Sequence, residues 1–511
     1  MNNANRVIVN TAAQYIKTIA NLCLSFYSTR LLLSSLGVAD YGIYTLIAGV
    51  VYLLSFVINA LVVTTQRYMS YYCGKGSIEK QKEVFSNSLI IHLVLGFAVA
   101  VIVEVIGLFL FDGFLNVSID RIHAAKMVYH SVVLMLALSF FSAPFRALLI
   151  SHENIVYVSL IDIIDGILKV LIVLIVAALD VDKLILYAAL LCIIQVFEFL
   201  AFAIYDSRSY EECIFPRKAY FNKNYVKDIS SFAGWTIYSV GCITGRSQGV
   251  SIILNKFIGV VANAAYGVAL QINGAMSFLS QSLLNALNPQ IMKAEGAGER
   301  AKMLRLSEIE SKFCFLLISM VAVPCIFEMD NLLLLWLTDV PSGAAMFCRF
   351  VLIATLIDQL TIGLASANQA IGKIKSYSLT INSIKLLTLV PFALCLYMGC
   401  SVFVAMIVYV AAELLGTIMR LFFLKVTAGL SINEFINRVF SRELLPIIVV
   451  ILTSFFCVTV FSFKYRFLLT IVLSIITMAF TVYYTGLCKD EKEIVYSIIK
   501  HVKYDNSSLI L

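Results

Sequence analysis

Long apolar stretches follow one another from end to end of the chain, with only short polar connections between them. A stretch of about 20 apolar residues is long enough to cross a bilayer as a helix, so the pattern predicts about fourteen transmembrane helices. The predicted spans are Val9 to Leu33, Tyr41 to Val63, Val84 to Phe111, Ala125 to Ile150, Val156 to Leu179, Leu184 to Tyr205, Ile229 to Leu254, Val261 to Leu287, Phe313 to Leu337, Ala345 to Ile371, Ser376 to Met398, Val402 to Phe423, Leu444 to Phe463 and Phe467 to Leu487. The chain is therefore predicted to be an all-α polytopic membrane protein.

The composition supports this assignment. Apolar residues make up 61% of the chain and charged residues 14%, whereas soluble globular proteins carry about 25% charged residues. The seventh and eighth spans are rich in Gly, Ser, Asn and Gln, which favours helices that line a wet cavity over helices that face lipid. The 12 cysteines and 5 histidines are scattered, so neither a disulfide framework nor a metal site is predicted.

The connections between spans differ strongly in their content of Lys and Arg. With the N-terminus inside, the inner connections and tails hold about 26 of the 38 basic residues, and the outer connections hold about 7. Arg146 and Arg420 are counted among the inner connections. Because basic loops stay on the cytoplasmic side, both termini are predicted to be cytoplasmic. The net charge of +7 is then a topology signal, and no basic stripe with interleaved aromatics indicates a nucleic-acid partner.

Short matching segments at a constant spacing indicate that the chain is duplicated. Tyr41-Gly42 recurs as Tyr266-Gly267, and Asn59-Ala60-Leu61 recurs as Asn285-Ala286-Leu287, about 225 residues later in each case. Six spans separate the two copies, which predicts two pseudo-symmetric halves of six helices with a transport site between them. The predicted domains are 1–205, the N-terminal six-helix bundle; 206–228, a cytoplasmic linker; 229–425, the C-terminal six-helix bundle; and 426–511, two extra transmembrane helices with a cytoplasmic tail.

Ionisable residues inside several spans indicate a cavity, because each costs roughly 2.5–3.5 kcal/mol at the centre of a bilayer. Positions 14, 17, 21, 25 and 28 of the first span form one polar stripe at helical spacing, and Asp162, Asp165 and Lys169 share one face of the fifth span. The candidate substrate-binding residues are Gln14, Lys17, Asn21, Arg30, Lys169, Arg246 and Lys385. The candidates for ion coupling are Asp162, Asp165, Asp358 and Glu413.

Four of these bases, on the first, fifth, seventh and eleventh spans, lie on repeat-related helices and would suit an anionic substrate head such as a pyrophosphate. Plainer explanations remain open. Arg30 and Glu198 lie near the ends of their spans, where long side chains can extend to the membrane surface. Asp165 and Lys169 are spaced as an i,i+4 pair that could only join helices. The intramembrane acids, which include Glu104, also about equal the bases in number.

The segments that carry these features also resemble a known family. The stretch from Arg30 to Gly42, the pair Gln66-Arg67 in TTQRYMSYYCGKG, and the stretch from Gln248 to Gln290 look like polysaccharide-export flippases of the O-antigen type. These belong to the multidrug/oligosaccharidyl-lipid/polysaccharide (MOP) exporter superfamily. The residues that match the family pattern are Arg30, Gln66, Arg67, Asn255, Asn263, Asn288, Pro289 and Gln290.

The resemblance implies a function and a location. The expected fold has two six-helix bundles around a central V-shaped cavity plus two C-terminal helices, in the bacterial inner membrane. The expected cargo is an oligosaccharide on an undecaprenyl pyrophosphate carrier, moved to the outer leaflet by alternating access. Membrane lipids, a polysaccharide polymerase and glycosyltransferases are the implied partners. No cofactor is expected apart from a coupling proton or sodium ion.

Two other functions compete with this expectation. A polysaccharide polymerase is also polytopic, but the outer loops here are short, and the chain has no HExxH, GxxxxGK[ST] or GxSxG motif. We therefore expect no enzyme. A multidrug cation antiporter of the same superfamily would need acids in its cavity, and Asp162, Asp165, Asp358 and Glu413 keep that alternative open.

Overall fold

The computed structural model describes residues 3–52, 54–109, 119–337, 340–463 and 465–492. Side chains are described within these ranges except at 3–8, 26, 29, 30, 33, 38, 39, 42, 45, 46, 49–52, 119, 218 and 260. The described residues are almost entirely helical and contain no β-strand. The chain is an all-α protein, as the sequence predicts.

The helices are numbered here in chain order. They are α1 Asn3–Tyr52, α2 Ser55–Gly74, α3 Ile78–Phe109, α4 Ile122–Ser151, α5 Ile155–Ala178, α6 Lys183–Ser209, α7 Lys223–Phe257, α8 Val260–Gly296, α9 Arg300–Phe327, α10 Met329–Trp336, α11 Ala344–Gln359, α12 Ile362–Ile371, α13 Ile374–Tyr397, α14 Val402–Ala428, α15 Ile432–Val460 and α16 Arg466–Gly486.

Many of these helices could cross a membrane. Within the described ranges, eight are long and apolar enough to do so, and the bent pair α11–α12 would make a ninth. The eight are α3, α4, α6, α9, α13, α14, α15 and α16. The protein is thus a multi-pass membrane protein. Helices α7 and α8 fall outside this set, as their polar composition leads one to expect, and α5 carries three charged residues within eight positions.

Two of the predicted spans are interrupted. The second predicted span, Tyr41 to Val63, is divided between the end of α1 and the start of α2. Gly37 also interrupts the helical backbone of α1. Its φ of 76° and ψ of 167° form a backbone conformation that residues other than glycine rarely adopt. The tenth predicted span is bent by 46° between α11 and α12. Beyond this bend, Gly363 packs so closely on α9 that an added Cβ would lie 2.1 Å from the carbonyl oxygen of Ser307.

The described chain divides into two compact units. The N-terminal unit comprises residues 9–237 and 296–298, and the C-terminal unit comprises residues 238–295 and those from 299 onward, together with the start of α1. The core of the N-terminal unit contains Phe85, Tyr129 and Phe140. The core of the C-terminal unit contains Tyr266 and Phe347. The division falls within α7, after the predicted linker 206–228.

Helix α16 is fastened to α9 at two levels, the middle of α9 and its C-terminal end. Lys312 of α9 is fully buried, donates a hydrogen bond to the carbonyl oxygen of Gly486 at 3.2 Å, and forms an ion pair with Glu491. Just beyond the C-terminal end of α9, the fully buried Glu328 accepts a hydrogen bond from Nε of Arg466 at 2.7 Å. Helix α16 therefore belongs to the C-terminal unit through buried charges as well as apolar packing.

Candidate functional site

A polar cavity of about 320 Å³ lies inside the N-terminal unit. The polar stripe of α1 and the charged face of α5 form two of its walls, and Tyr187 of α6 contributes to a third. Its lining residues are Asn21, Leu24, Ser25, Ser28, Leu32, Tyr41, Tyr44, Asp165, Gly166, Lys169 and Tyr187. The helical spacing seen in the sequence thus brings two polar faces together in one cavity.

The lining combines hydroxyls, an amide, aromatic rings and one ion pair. The carboxamide oxygen of Asn21 is buried and accepts no hydrogen bond from any described residue. Tyr44 and Tyr187 pack edge to face with ring centroids 5.0 Å apart. Lys169 forms an ion pair with Asp165 at 2.6 Å, and its side chain is 46% exposed. Such a mixture of aromatic rings and hydrogen-bonding groups can hold a polar ligand in a fixed orientation.

Gly166 allows α1 and α5 to approach closely at this cavity. A Cβ added at this position would lie 2.9 Å from the carboxamide oxygen of Asn21 and 3.0 Å from Cδ1 of Leu24. A larger residue would therefore push the α1 wall away. The absence of a side chain at position 166 is what keeps Asn21 next to the charged face of α5.

An ion-pair network lies beside this cavity in the N-terminal unit. Arg146 of α4 donates two hydrogen bonds to the carboxylate of Asp162, at 2.9 and 2.6 Å, and a weaker one to Glu198 at 3.4 Å. Lys17 of α1 also pairs with Asp162 at 3.2 Å. Arg146 was assigned to an inner connection from the sequence. That assignment is wrong, because Arg146 belongs to α4 and joins α5 and α6 through its guanidinium group.

A second network occupies the C-terminal unit. Asp358 of α11 accepts hydrogen bonds from Lys385 of α13 at 2.8 Å and from Arg420 of α14 at 2.7 Å. Glu413 pairs with Lys385 at 3.1 Å and also with Arg246 of α7. The Arg246 guanidinium lies 4.4 Å from the ring centroid of Tyr409. Arg420, assigned to an inner connection from the sequence, lies within α14 and is almost fully buried.

The central triads of the two networks have opposite charges. In the N-terminal unit one base, Arg146, holds two acids, Asp162 and Glu198. In the C-terminal unit one acid, Asp358, holds two bases, the side chains at 385 and 420. Asp162 and Lys385 are 223 residues apart and Glu198 and Arg420 are 222 residues apart, which is the register of the predicted duplication. The third member of each triad comes from the preceding candidate span, which is α4 for Arg146 and the bent pair α11–α12 for Asp358.

The charges of the two networks balance differently. In the N-terminal unit Lys17, Arg146 and Lys169 meet three acids, so the formal charges cancel. In the C-terminal unit Arg246, Lys385 and Arg420 meet only two acids, which leaves one positive charge in the network as described. Among the candidate substrate-binding bases whose side chains the structure describes, only Lys169 is substantially exposed.

The structure places the predicted residues in two groups. Asn21, Asp165 and Lys169 line the N-terminal cavity, with Lys17 in the network beside it, and Gln14 is buried on the same helix. Arg246, Lys385, Asp358 and Glu413 form the network of the C-terminal unit. The side chain of Arg30 lies outside the described residues. Glu104, an isolated acid in the sequence, pairs with His130 at 2.9 Å.

The sequence did not single out several residues of these sites. Tyr44 and Tyr187 lie in apolar stretches where an aromatic residue carries no signal of its own, and Tyr41 was noted only as part of the repeated segment Tyr41-Gly42. The two arginines of the networks lie near the ends of their helices, where basic residues usually face the cytoplasm. The duplication register could have revealed Arg420, because it pairs that position with Glu198.

A group of possible metal ligands lies outside both networks. Cys488, Asp490 and Glu491 place one ligand atom each within 4.8 Å of one another. Arg305 already pairs with both carboxylates at 2.8 Å, and Lys312 pairs with Glu491. Two bases therefore occupy the positions that a metal ion would need, and this cluster is explained by ion pairing.

The linker between α6 and α7 packs against the end of α4. The ring of His152 stacks on Tyr210 with centroids 4.2 Å apart, and its Nε2 contacts the carboxylate of Glu212. Burial alone would raise the pKa of Glu212, but the hydrogen bond with the histidine holds it below the usual value. Burial, together with the nearby carboxylates of Asp206 and Glu212, raises the pKa of the Cys213 thiol to about 12.

Comparisons with known proteins give a clear result for the fold. No protein-family model matches the chain, and no curated protein matches it in sequence. Solved structures do match. A structure titled as MATE in complex with MaL6 has a TM-score of 0.68 at 13% identity, over 84% of this chain and 97% of that chain.

Two further solved structures resemble the chain equally well. One is an outward-facing multidrug resistance MATE family transporter of the MOP superfamily, with a TM-score of 0.71 at 14% identity, over 84% of this chain and 96% of that one. The other is a MOP superfamily transporter from Pyrococcus furiosus whose binding pocket is described as reversed in polarity, with a TM-score of 0.70 at 12% identity and the same coverage. The chain therefore has the fold of the MATE transporters of the MOP superfamily.

Proposed function

We propose that this protein is a transporter of the MOP superfamily that flips a lipid-linked oligosaccharide with an anionic head across the bacterial inner membrane. It is not an enzyme in this proposal. The fold comprises fourteen transmembrane helices, as two six-helix bundles and a C-terminal pair, with both termini in the cytoplasm. The fold shared with solved transporters supports transport, and the site geometry supports the choice of cargo.

The observation that carries the cargo assignment is the pairing of every candidate acid. Asp162, Asp165, Asp358 and Glu413 each form an ion pair with a base of their own unit. A site for a cationic drug needs a carboxylate whose charge is not already neutralised. The N-terminal network is neutral, and the C-terminal one has an excess of one positive charge. Both arrangements suit a sugar or an anion better than a cation.

The N-terminal cavity provides the groups that a phosphorylated sugar requires. Tyr44 and Tyr187 offer ring faces and edges, the amide of Asn21 and nearby serines offer hydrogen bonds, and the exposed ammonium group of Lys169 offers a charge-assisted contact to a phosphate oxygen. We assign Lys169 and Asn21 as substrate contacts. Lys17, Arg246 and Lys385, which are largely buried in ion pairs, are assigned to hold the shape of the two units.

The test is transport by the purified protein in liposomes. The probe is a fluorescent disaccharide on undecaprenyl pyrophosphate, whose arrival at the outer leaflet is measured by protection from or access to a membrane-impermeant glycosidase. We expect translocation by the parent protein, a loss of roughly tenfold or more for Lys169→Ala, and a smaller loss for the conservative Lys169→Arg. Lys256→Ala, an exposed base at the end of α7, serves as the control.

The alternative function has its own measurable outcome. The same liposomes loaded with ethidium and given a proton or sodium gradient report multidrug antiport, the activity that the sequence left open. Gradient-driven ethidium efflux without glycan translocation would replace the flippase assignment by the antiporter. Glycan translocation that is insensitive to Lys169→Ala would leave the function standing but would move the substrate contact elsewhere.

A further inference from the structure

The N-terminal unit has a second cavity that is chemically unlike the first. It has a volume of about 250 Å³ and lies between α3, α4, α6 and the linker that follows α6. Aromatic and aliphatic side chains form nearly all of its wall, among them Phe85 of α3, Phe145 of α4 and Phe199 of α6. Ser207 is the one hydroxyl in the lining. Nothing in the proposed transport mechanism uses this cavity.

Its position indicates that it opens toward lipid. In the candidate spans α3 and α6, only 28% of the apolar segment is buried within the protein, the lowest share in this unit. In α4, which lies between them, the share is 61%. The cavity lies along the last third of α6 and the first three turns of α3, which is one end of the spans. A hydrocarbon chain of the bilayer therefore reaches this cavity without leaving its apolar environment.

Two exposed arginines flank the lining residues in sequence, with the exposed Glu211 between them. Arg208 follows the lining residue Ser207, and Arg217 lies two residues after the lining residue Phe215. Both arginines are exposed, and neither forms an ion pair with any residue that the structure describes. The Phe215 ring is 80% exposed at the mouth of the cavity. A segment with two exposed arginines and an exposed aromatic ring is typical of a position at the lipid headgroups.

We infer that this cavity binds one acyl chain of an anionic phospholipid, with the lipid phosphate held by Arg208 and Arg217. The arginines match a phosphate group in charge and in their paired N–H donors. The apolar wall matches a hydrocarbon chain. At ~30 Å³ for each water-sized group, the volume of the cavity accommodates only part of one chain. The lining offers almost no polar groups for a glycan, which favours a phospholipid over the lipid-linked oligosaccharide itself. With the linker in the cytoplasm, as the proposed function has it, this lipid belongs to the inner leaflet.

The test measures which lipid stays with the purified protein. The parent and variants are exchanged into detergent with equal amounts of phosphatidylglycerol and phosphatidylethanolamine, passed through gel filtration, and analysed by native mass spectrometry. We expect about one phosphatidylglycerol per chain on the parent. Arg208→Gln with Arg217→Gln should lower its retention roughly tenfold relative to phosphatidylethanolamine, and Ala203→Phe, which fills the cavity, should lower retention of both lipids.

Matched controls separate a built site from general surface binding. Lys223→Gln with Lys227→Gln removes the same charge from exposed positions of the same region, and Ile193→Phe adds a ring on an exposed part of α6. Both should retain lipid like the parent. Equal losses in the lysine and arginine variants would overturn the proposal, as would full retention in both site variants. Displacement of phosphatidylglycerol by an equal amount of undecaprenyl phosphate would overturn the choice of a phospholipid.

Discussion

At the scale of single residues, the two triads differ in which member is indispensable. Asp358 accepts hydrogen bonds from both Lys385 and Arg420, and its loss leaves these two largely buried bases with Glu413 as their remaining nearby acid. Glu198 is a peripheral partner, because Arg146 keeps its two-bond contact with Asp162 when Glu198 is removed. Removing one partner of a buried pair costs about 3–5 kcal/mol when the other charge is left uncompensated.

We therefore predict that Asp358→Asn destabilises the protein by about 3 kcal/mol and Glu198→Gln by about 1 kcal/mol. The measurement is thermal unfolding in detergent, followed by size-exclusion chromatography of the heated samples. Glu299→Gln, an exposed acid paired with Lys302, should change little and serves as the control. Equal effects at 358 and 198 would contradict the central role of Asp358.

Cys213 gives a prediction with a defined pH dependence. Burial and the acids at 206 and 212 raise the pKa of its thiol to about 12, so its thiolate fraction at pH 8 should be roughly a thousandfold below that of an ordinary cysteine. In a background without other cysteines, iodoacetamide should label Cys213 very slowly at pH 8 and about tenfold faster per pH unit up to pH 10. The exposed variant Ala219→Cys is the matched control, and equal labelling rates at pH 8 would refute the prediction.

At the scale of helices, buried charges attach α16 to α9. Lys312 and Glu328 are sixteen positions apart, or about 24 Å along the helix axis at 1.5 Å per residue. One pairs with Glu491 after α16 and the other with Arg466 at its start. Helix α16 is therefore held to α9 near both ends, which restricts sliding between them more than apolar packing alone would.

The pair of Lys312 and Glu491 should respond unequally to its two substitutions. Glu491→Gln leaves the fully buried ammonium group without its carboxylate, whereas Lys312→Met leaves Glu491 still paired with Arg305. We predict a loss of about 3 kcal/mol for Glu491→Gln and about 1 kcal/mol for Lys312→Met, measured by thermal unfolding. Lys302→Met, which removes an exposed base of the same helix, is the control. A larger loss for Lys312→Met would contradict the described geometry.

At the scale of the whole molecule, the sequence predicts the fold class and the residues that line the cavity better than it predicts which charged residues form ion pairs. The polar stripe with Lys17 and Asn21 and the charged face with Asp165 could be predicted from the sequence. Helical periodicity places each set of residues on one side of its own helix. The ion pair of Arg146 with Asp162 could not be predicted from the sequence, because it depends on how α4 packs against α5. The break between α1 and α2 was also hidden, because the apolar stretch continues across it.

The duplication relates the charged triads of the two units as well as the matching segments. The sequence analysis noted bases on repeat-related spans but did not compare the charges at equivalent positions. In the triads these positions carry opposite charges, as Asp162 and Lys385 illustrate. A register search for opposite charges would therefore have found this relation. The physical reason is that a triad needs one charge between two of the other sign, and either sign can take the centre.

We propose that energy coupling uses one carboxylate of the N-terminal cavity, that of Asp165. Asp162 is held by Arg146 and Lys17 together, and both contacts are independent of the cavity. Asp165 is 21% exposed, lines the cavity and has Lys169 as its ion-pair partner. If a phosphate of the cargo draws the ammonium group away, Asp165 loses its counter-charge, and a proton or sodium ion can replace it.

We predict that Asp165→Asn abolishes or strongly weakens the dependence of glycan translocation on an imposed proton or sodium gradient, while transport down the cargo gradient persists. Asp162→Asn should instead lower protein stability, because Arg146 and Lys17 lose their shared acid. The measurement is liposome translocation with and without each gradient, normalised to folded protein. Full gradient dependence in Asp165→Asn would show that this pair only joins helices, and Asp358 and Glu413 would then be the remaining candidates for coupling.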